Sequence, residues 1–498
     1  MSQNHSPRRV IPSLALLILL PLLTAFSGEA NPPLPLGQHI VLSWNDLGMH
    51  CMNKDHAQMS ILPPYNNLFA QVIERGDAGS LPRILDTEIS LEYSIPGNTY
   101  SVGKTDFWEW DFDLFGVDLP PNIGLTGKGL EGEMDAHPGH YVAEGIPVTP
   151  FTDAEPDVED PYQQALIIAR DGSGMELARS EPVIPVSTEV NCVSSGCHTS
   201  EDNIIFGHDN EGGYNPYDQP ILCAGCHASP ALGTPGIPEA KYFSFQIHDK
   251  HKFMDETNPG QIGCEKCHPG PNTHCLRGTM NTDFGMVCQD CHGNMEQVSG
   301  SIENGRTPWL DEPACRDCHT STYGEPVGQL YRNSQGHGGV YCAGCHGSPH
   351  AIFPSREARD NANNIALQGH SGTLRDCTVC HGVNPGGSGP HGIVATDIVE
   401  AEIMGSRDRM LVYPSPLMPG GTATFLARNE EGARGRMLVF DARGRTIRLL
   451  DPQADGSGHA RAAWDGTDRG GQRVAAGVYF VRWEAGQRSA AGKVVLVD

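Results

Sequence analysis

The sequence predicts a multidomain protein with a β-rich N-terminal domain, a loop-rich central domain with short helices, and a C-terminal β-sandwich. The chain has 498 residues, whereas a single core stops growing near about 250 to 300 residues. Fifteen of its sixteen cysteines lie between Cys192 and Cys380, and short β-like runs lie on both sides of them. We therefore expect domains at 31–186, 187–395 and 405–498, after a removable segment at 1–30.

The first 30 residues are typical of a secretory signal peptide. Arg8 and Arg9 precede an apolar run from Val10 to Phe26, and small residues up to Ala30 follow it. The run contains prolines and is shorter than the roughly 20 residues that a membrane-spanning helix needs, and no other apolar stretch is long enough. We expect an exported protein that does not span a membrane.

Residues 31–186 predict a mainly β domain packed against the central region. Proline and glycine separate β-like runs such as Ile89–Ile95, Gln164–Asp171 and Pro182–Glu189. Two further stretches are distinctive, WNDLGMHCM (Trp44–Met52) and DFWEWDF (Asp106–Phe112). For the aromatic residues we expect core packing.

The central region repeats one cysteine pattern. Six times the chain reads C-x-x-C-H, and a seventh motif, CVSSGCH, has four residues between its cysteines. In c-type attachment two thiols add to the vinyl groups of one haem, and the adjacent histidine ligates the iron. The motifs therefore predict a multihaem domain with seven covalently attached haems c. The cysteines are Cys192, Cys197, Cys223, Cys226, Cys264, Cys267, Cys288, Cys291, Cys315, Cys318, Cys342, Cys345, Cys377 and Cys380, and the histidines are His198, His227, His268, His292, His319, His346 and His381.

Disulfides and zinc sites are the competing interpretations. Disulfides are the default in an exported chain, and zinc sites combine C-x-x-C units with separately spaced histidines. Neither predicts a histidine directly after every pair, although the wider spacing of CVSSGCH leaves a disulfide open there. Cys51 and Cys275 lie outside the motifs, and the sequence leaves them as a disulfide or as separate thiols.

Seven further ligands are needed if every haem iron is six-coordinate. A lone histidine is usually a surface or hydrogen-bonding residue, but this demand favours ligation by the non-motif histidines of the region. The upstream His50, His56, His137 and His140 are not required by the count. Eight candidates remain for seven positions: His208, His248, His251, His274, His337, His350, His370 and His391.

Seven haems would share about 200 residues, which is too little protein for a conventional apolar core around each. We therefore expect the haems themselves to form the core of this region, packed close to one another. Covalent tethers restrict the unfolded chain as disulfides do, so a loop-rich segment can still be stable. Closely packed haems form a path for electrons.

The charge balance excludes one class of partner. The chain has 60 Asp and Glu against 34 Lys and Arg, whereas nucleic-acid binding needs clustered basic side chains. An acidic surface instead steers a cationic redox partner. We interpret the acidic run from Asp153 to Asp160 as a solvated loop, with a calcium site as the alternative.

After residue 400, strand-like runs alternate with turn signals such as DGTDRGG. Their spacing predicts a small β-sandwich. This region contains no cysteine and no catalytic constellation.

Two resemblances to known families add to these predictions. The motif region resembles multihaem cytochromes c of respiratory and extracellular electron transfer, and Gly285–Met295, Arg306–His319 and WNDLGMHC are similar to segments of large secreted bacterial multihaem cytochromes. The last 90 residues resemble the Ig-like domain of flagellar hook-capping proteins and the C-terminal sorting domains of type IX secretion cargo, on Phe440–Arg448, Trp464–Trp483 and Lys493–Val497. The second resemblance implies an Ig-like β-sandwich and delivery to the cell surface or medium, with the periplasm as the other destination.

Three functional hypotheses follow. In the first, the protein is an electron carrier that passes electrons along seven haems to a redox partner protein or an extracellular acceptor. In the second, it is a multihaem reductase of a small oxyanion or nitrogen compound at one haem with an open sixth position, although all seven motifs keep their histidine. In the third, which is compatible with the first, protomers self-assemble into a conductive filament.

Overall fold

The computed structural model describes residues 36–497 except 210–213, 258–260, 387–388, 393–409, 414–416, 418–419, 429–434, 442–444, 455–458 and 486–487. The predicted signal peptide lies outside the described residues. Strands and loops predominate in the described part, and its helices have at most nine residues. None of these helices is long and apolar enough to cross a membrane.

Two antiparallel sheets form the N-terminal part. The first has five strands in the order β1-β4-β9-β8, with β5 also paired to β4, and the second has the order β11-β10-β6-β7. The strands are β1 (His39–Trp44), β2 (His50–Cys51), β3 (Met59–Ser60), β4 (Asn66–Glu74), β5 (Arg83–Leu85), β6 (Ile89–Ser94), β7 (Glu131–Glu133), β8 (Asp135–His137), β9 (His140–Ile146), β10 (Leu166–Asp171), β11 (Glu176–Ser180) and β12 (Val186–Ser187).

The β-like runs of the sequence form several of these strands, since Ile89–Ile95 contains β6 and Gln164–Asp171 contains β10. The aromatic stretch instead forms a helix, α1 (Phe107–Phe115). The expected core packing holds for Phe107, which is fully buried, but not for Phe112, which is 63% exposed. Five residues after Phe107, Phe112 lies about 140° further round the helix and therefore points away from the side that Phe107 buries.

The acidic run is anchored at its ends and exposed in the middle. Asp153 accepts a hydrogen bond from the buried Lys104 ammonium at 2.6 Å, and Asp160 pairs with Arg359 at 2.8 Å. The expected solvated loop is therefore correct only for the residues between them.

Short helices and loops make up the central part, where the chain also adds β13 (Ile221–Leu222) beside β3. The α-helices are α2 (Glu201–Asp209), α3 (Cys223–Cys226), α4 (Phe243–His251), α5 (Met254–Thr257), α6 (Gln261–Cys264), α7 (Thr279–Thr282), α8 (Cys288–His292), α9 (Met295–Glu303), α10 (Arg316–Tyr323), α11 (Cys342–His346), α12 (Ala362–Gln368) and α13 (Thr378–His381). The 3-10 helices are Pro230–Leu232, Tyr331–Asn333, His337–Gly339, Pro349–Ala351, Ala358–Asn361 and Pro390–Gly392.

The N-terminal and central parts share a hydrophobic core. Ile40, Leu42 and Trp44 of β1 pack with central residues that include Ala343 of α11 and Val379 of α13. The first β-sheet therefore supports two of the motif helices directly.

The C-terminal part is a sandwich of two four-stranded antiparallel sheets, ordered β14-β15-β19-β18 and β17-β16-β20-β21. Trp464 and Trp483 are buried in the core between the two sheets. The strands are β14 (Met410–Tyr413), β15 (Ala423–Arg428), β16 (Arg436–Asp441), β17 (Thr446–Leu450), β18 (Gln453–Ala454), β19 (His459–Trp464), β20 (Gly477–Ala485) and β21 (Arg488–Leu496).

Candidate functional site

Each regular motif forms about one helical turn. In a helix, residues i, i+3 and i+4 share one face, so C-x-x-C-H places two thiols and an imidazole together. The turn is closed when the amide of the motif histidine donates to the carbonyl of the first cysteine, as His268 does to Cys264 at 2.9 Å and His227 to Cys223 at 3.0 Å. The spacing is thus what one turn of helix requires.

The wider motif CVSSGCH closes in the same way. The amide of His198 donates to the carbonyl of Cys192 at 3.1 Å, although six residues separate them. Gly196 adopts a left-handed conformation with φ of 78°, which turns the longer loop back. The wider motif is therefore closed by the same hydrogen bond, from the histidine amide to the first cysteine, as the regular motifs described above.

Six motif histidines each lie opposite one non-motif histidine. Two imidazoles that ligate one metal ion from opposite sides, with bonds of about 2 Å, have ring centroids roughly 6 Å apart. The structure gives this separation six times: His198 with His251 (6.2 Å), His227 with His208 (6.1 Å), His268 with His248 (6.1 Å), His292 with His350 (6.2 Å), His346 with His391 (6.1 Å) and His381 with His337 (6.0 Å).

The remaining predicted ligands are not brought together in this way. His274 and His370 face no motif histidine within the described residues, and the ring of His370 donates instead to the carbonyl of Ser371 at 2.8 Å. His319 is the one motif histidine without an imidazole opposite it in this part of the chain. Of the upstream histidines, His50 pairs with Asp46 at 2.7 Å.

Backbone carbonyls orient several of the paired rings. The Nδ1 atoms of His248 and His251 donate to the carbonyls one turn earlier in α4, at 2.7 and 2.8 Å. His227 donates to Lys241 at 3.0 Å, and His350 donates to Leu47 at 2.8 Å. A proton held on Nδ1 leaves Nε2 as the atom that can bind iron.

Burial favours the neutral form of three of the motif imidazoles. Desolvation lowers the pKa of His268, of His292 and of His346 to about 4, with a smaller contribution from the paired histidine in each case. Only a neutral imidazole can donate its lone pair to a metal ion. The low pKa values therefore suit ligation at neutral pH.

The thiols complete a donor set that fits haem c. All sixteen cysteines are free thiols, so of the two alternatives that the sequence leaves for Cys51 and Cys275 the structure has the separate thiols. Within the described residues, no three or more Cys, His, Asp or Glu side chains form a group that could hold a metal ion. Two imidazoles and two nearby thiols suit an iron whose other four ligands come from a porphyrin, whereas a structural zinc site needs four protein ligands.

Neighbouring motifs lie near each other in a linear order. The thiols of Cys264 and Cys288 share a hydrogen bond, which lowers the pKa of Cys264. Burial, and then a neighbouring thiol, raises the pKa of one cysteine in each of three further pairs: Cys223 beside Cys192, Cys267 beside Cys192, and Cys345 beside Cys380. Burial, and then Cys318, also raises the pKa of Cys291, and His319 is among the groups that lower the pKa of His346. Numbered along the chain, the motifs therefore follow the spatial order 2-1-3-4-5-6-7.

The stretch WNDLGMHCM, for which the sequence offered no mechanism, positions the fourth pair. The carbonyl of Asn45 accepts from the Ser348 hydroxyl at 2.6 Å, and the carbonyl of Leu47 accepts from His350. The carbonyl of Gly48 accepts from Arg277, which forms a buried ion pair with Asp360 at 2.6 Å. These partners lie more than 200 residues away in sequence, so no local pattern could have revealed them.

Glu189 is a second positioning residue that the sequence did not reveal. Its buried carboxylate accepts from the amides of Gly270, Asn272 and Thr273 at 2.9 to 3.1 Å. It thereby orders the loop that follows His268. In the sequence, an acidic residue just before the first motif does not indicate that it orders a loop after the third motif.

The C-terminal part matches a known protein family. Residues 420–489 match the family described as FlgD Ig-like domain, which confirms the predicted Ig-like β-sandwich there. No curated protein matches the chain.

Three solved structures that resemble the chain each cover a fifth of it or less. FlgD from Xanthomonas campestris is 20% identical over 20% of this chain and 73% of its own, with a TM-score of 0.13. The Ig1 domain of mouse SynCAM 2 is 14% identical over 18% of this chain and 93% of its own, with a TM-score of 0.13. An endoglucanase from Alicyclobacillus acidocaldarius is 10% identical over 18% of this chain and only 14% of its own, with a TM-score of 0.14. We draw nothing further from structures with such low TM-scores.

Proposed function

We propose that the protein is a multihaem c-type cytochrome that transfers electrons through seven closely packed haems outside the cytoplasm. The observation that carries the proposal is the sixfold pairing of a motif histidine with a non-motif histidine at 6.0 to 6.2 Å. A chance arrangement of surface histidines would not repeat one separation at six motifs.

The haem supplies one-electron redox chemistry at its iron. The chain's own residues would tether each group through two thiols, ligate it from both sides and keep it near its neighbours. The imidazoles of His292 and His350 would hold the fourth haem, for example, while the carbonyl of Leu47 fixes the orientation of one of them. Two strong ligands on an iron leave no position for a substrate, which favours electron transfer over catalysis.

We also propose where the protein acts and with what it exchanges electrons. The Arg-containing apolar leader supports export, and the Ig-like domain supports the cell surface or the medium as the site of action. The net charge of −26 favours a cationic redox partner. An extracellular acceptor and a second copy of this chain are further candidates.

The test is a count of haem per chain. We expect the pyridine haemochrome assay to give seven haems for the protein matured in a host with c-type attachment machinery. Replacing Cys342 and Cys345 by alanine should remove one haem. As a matched control, replacing Cys51 and Cys275 by alanine should remove none. A wild-type count far below seven, or an equal count in the first variant, would overturn the proposal.

One observation favours a second candidate, a multihaem reductase of a small oxyanion or nitrogen compound. His319 faces no imidazole among the described residues, so the fifth haem is the place where a sixth position could be open. Carbon monoxide binding by the dithionite-reduced protein tests this. A spectral change at one haem supports the reductase, and no change at any haem supports the electron carrier.

A further inference from the structure

Two aromatic side chains lie exposed beside the second motif. Tyr217 is 80% exposed and Phe206 is 39% exposed, and their rings meet edge to face with centroids 5.2 Å apart. Aromatic side chains are enriched at protein–protein interfaces, because they bury a large apolar area and lose little side-chain freedom. An exposed pair of touching rings is therefore a candidate contact for a partner protein.

Hydrogen bonds hold this pair in one place. The side-chain amide of Gln219 donates to Asp202 at 3.0 Å, which ties the turn that carries Tyr217 to the helix α2. Within the turn, the side-chain amide of Asn215 donates to Asp218 at 2.8 Å. Two rings and two carboxylates thus form one surface, and we call these four residues the α2 patch: Asp202, Phe206, Tyr217 and Asp218.

The α2 patch lies on the outer side of the helix that supplies a distal ligand. Phe206 comes two residues before His208, so the two side chains lie about 160° apart round α2. Asp202 comes one turn before Phe206 and shares its side of the helix. The ring of His208 faces the motif histidine His227 at 6.1 Å. A protein bound to the patch would therefore be separated from the second haem by one helix, about 10 to 12 Å across.

The charge near the patch selects the kind of partner. Residues 180–240, which contain motifs 1 and 2, have eight Asp and Glu and no Lys or Arg. Residues 330–395, which contain motifs 6 and 7, have three Asp and Glu and four Lys and Arg. Opposite charges across an interface speed association and fix orientation. A partner with a basic face is therefore attracted to the first two motifs and not to the last two.

We propose that the α2 patch docks a redox protein with a basic face and brings its cofactor to the haem of the second motif. This inference rests on the proposed function, since it assigns a partner and a surface to one of the seven haems. In each encounter one electron passes from a ferrous haem, which becomes ferric, to the oxidised cofactor of the partner. The rings supply contact area and the carboxylates supply attraction, so the two contributions can be removed separately.

The experiment measures electron transfer from the reduced full-length holoprotein to two blue copper proteins, one basic and one acidic. Each electron that leaves a haem reduces Cu²⁺ to Cu⁺, and the copper absorbance is distinct from the haem bands. Stopped-flow spectroscopy gives the bimolecular rate constants at low and at high ionic strength. The patch variants are Phe206→Ala/Tyr217→Ala and Asp202→Asn/Asp218→Asn, in which each asparagine keeps an acceptor oxygen for its amide partner.

The matched control is Phe480→Ala/Asp451→Asn. It removes one exposed aromatic ring and one exposed carboxylate from the Ig-like domain. A haem count accompanies every sample.

With the basic copper protein, we expect Phe206→Ala/Tyr217→Ala to react about tenfold more slowly than wild type at both ionic strengths, because the contact area is lost. Asp202→Asn/Asp218→Asn should react about tenfold more slowly at low ionic strength only, because salt screens the attraction that those carboxylates supply. The control should match wild type. No variant should react more slowly with the acidic copper protein.

A wild-type rate with the basic copper protein in either patch variant would overturn the docking site. An equal loss of rate with the acidic copper protein would do the same, because it would show a general defect of the variant in place of a lost partner contact. A wild-type haem count far below seven would overturn the proposed function instead.

Discussion

A non-motif imidazole lies opposite the motif histidine at six of the seven candidate sites, and several hydrogen bonds hold one of these, His350. Its Nδ1 donates to Leu47, its ring faces His292, and its carbonyl accepts from the amides of Arg277 and Gly278. The loop that contains Leu47, in the N-terminal domain, thus holds the ring of His350. The amides of Arg277 and Gly278 hold its backbone. Such support is what keeps a ligand in place when its metal changes oxidation state.

His350→Ala should open one haem in seven. Without the second imidazole the iron at His292 becomes five-coordinate, so carbon monoxide should bind to the reduced protein at a single haem. The difference spectrum after carbon monoxide addition measures this.

The control is His137→Ala, which removes an exposed histidine of β8 and should leave the spectrum unchanged. Equal spectra for the two variants would show that His350 is not a ligand.

His56 makes stability depend on pH. Its side chain is fully buried, its Nε2 has no partner, and desolvation lowers its pKa from 6.5 to about 4. The unfolded chain therefore binds a proton more readily than the folded one, so the free energy of unfolding falls as the pH drops from about 6.5 to about 4.

We expect His56→Gln to lose this dependence. The free energy of unfolding of wild type minus that of the variant should decrease by up to about 3 kcal/mol between pH 7 and pH 4. Urea unfolding followed by circular dichroism at both pH values measures it. The same substitution at the exposed His137 is the control, and an equal pH dependence in wild type and His56→Gln would contradict the prediction.

The sequence indicates which histidines are candidate ligands, but it does not indicate which motif histidine each of them faces. His337 lies five residues before the sixth motif but faces His381 of the seventh, and His350 lies just after the sixth motif but faces His292 of the fourth. His370 also precedes a motif, and it faces no motif histidine among the described residues. Spacing along the chain fails here because loops and short helices that fold back connect the motifs, so the nearest histidine in sequence need not be the nearest in space.

At the scale of elements, close backbone contacts decide which loops can form. Gly278 begins α7 and bridges Ser355, and a Cβ atom at this glycine would lie 2.4 Å from the backbone nitrogen of Ile352. Gly300 lies inside α9 with no atom within 4 Å of its ideal Cβ position. A side chain would therefore clash with the backbone at Gly278 but not at Gly300.

Gly278→Ala should therefore destabilise the protein by about 1 to 3 kcal/mol, because the Ile352 backbone must shift. Gly300→Ala should stabilise it by up to about 1 kcal/mol, because alanine favours a helix interior. Denaturant unfolding of the holoprotein measures both, and a loss of stability in Gly300→Ala equal to that in Gly278→Ala would contradict the reasoning.

Strand predictions succeeded where alternation and turn residues coincide, as in β6, β10 and the C-terminal sandwich. For Asp106–Phe112 the sequence predicted only core packing of the aromatic side chains, and the helix there was not predicted, because so short a run does not reveal helical periodicity. The parallel pairs of β2 with β12 and of β3 with β13 join only two residues each, and they depend on contacts that no local pattern encodes.

At the scale of the whole molecule, charge sets the choice of partner. With a net charge of −26, the surface attracts cations over a distance that salt shortens. We expect a cationic redox probe, hexaammineruthenium, to exchange electrons faster than ferricyanide relative to their driving forces. Raising ionic strength from about 10 to about 500 mM should slow the cationic probe and speed the anionic one, and stopped-flow rates would contradict this if they did not change with salt.

The interleaving of the histidine pairs has a consequence for biogenesis. A chain that emerges from a translocation channel presents His198 long before His251, and His292 long before His350. Motif 2 emerges inside the first of these intervals, and motifs 5 and 6 emerge inside the second. In the exported cytochrome that we propose, thioether formation would therefore proceed motif by motif while coordination lags behind by one or more haems. During that interval the nascent chain would hold half-ligated iron, open to peroxide and to the wrong histidine, and its maturation would depend on how fast the next segment is exported.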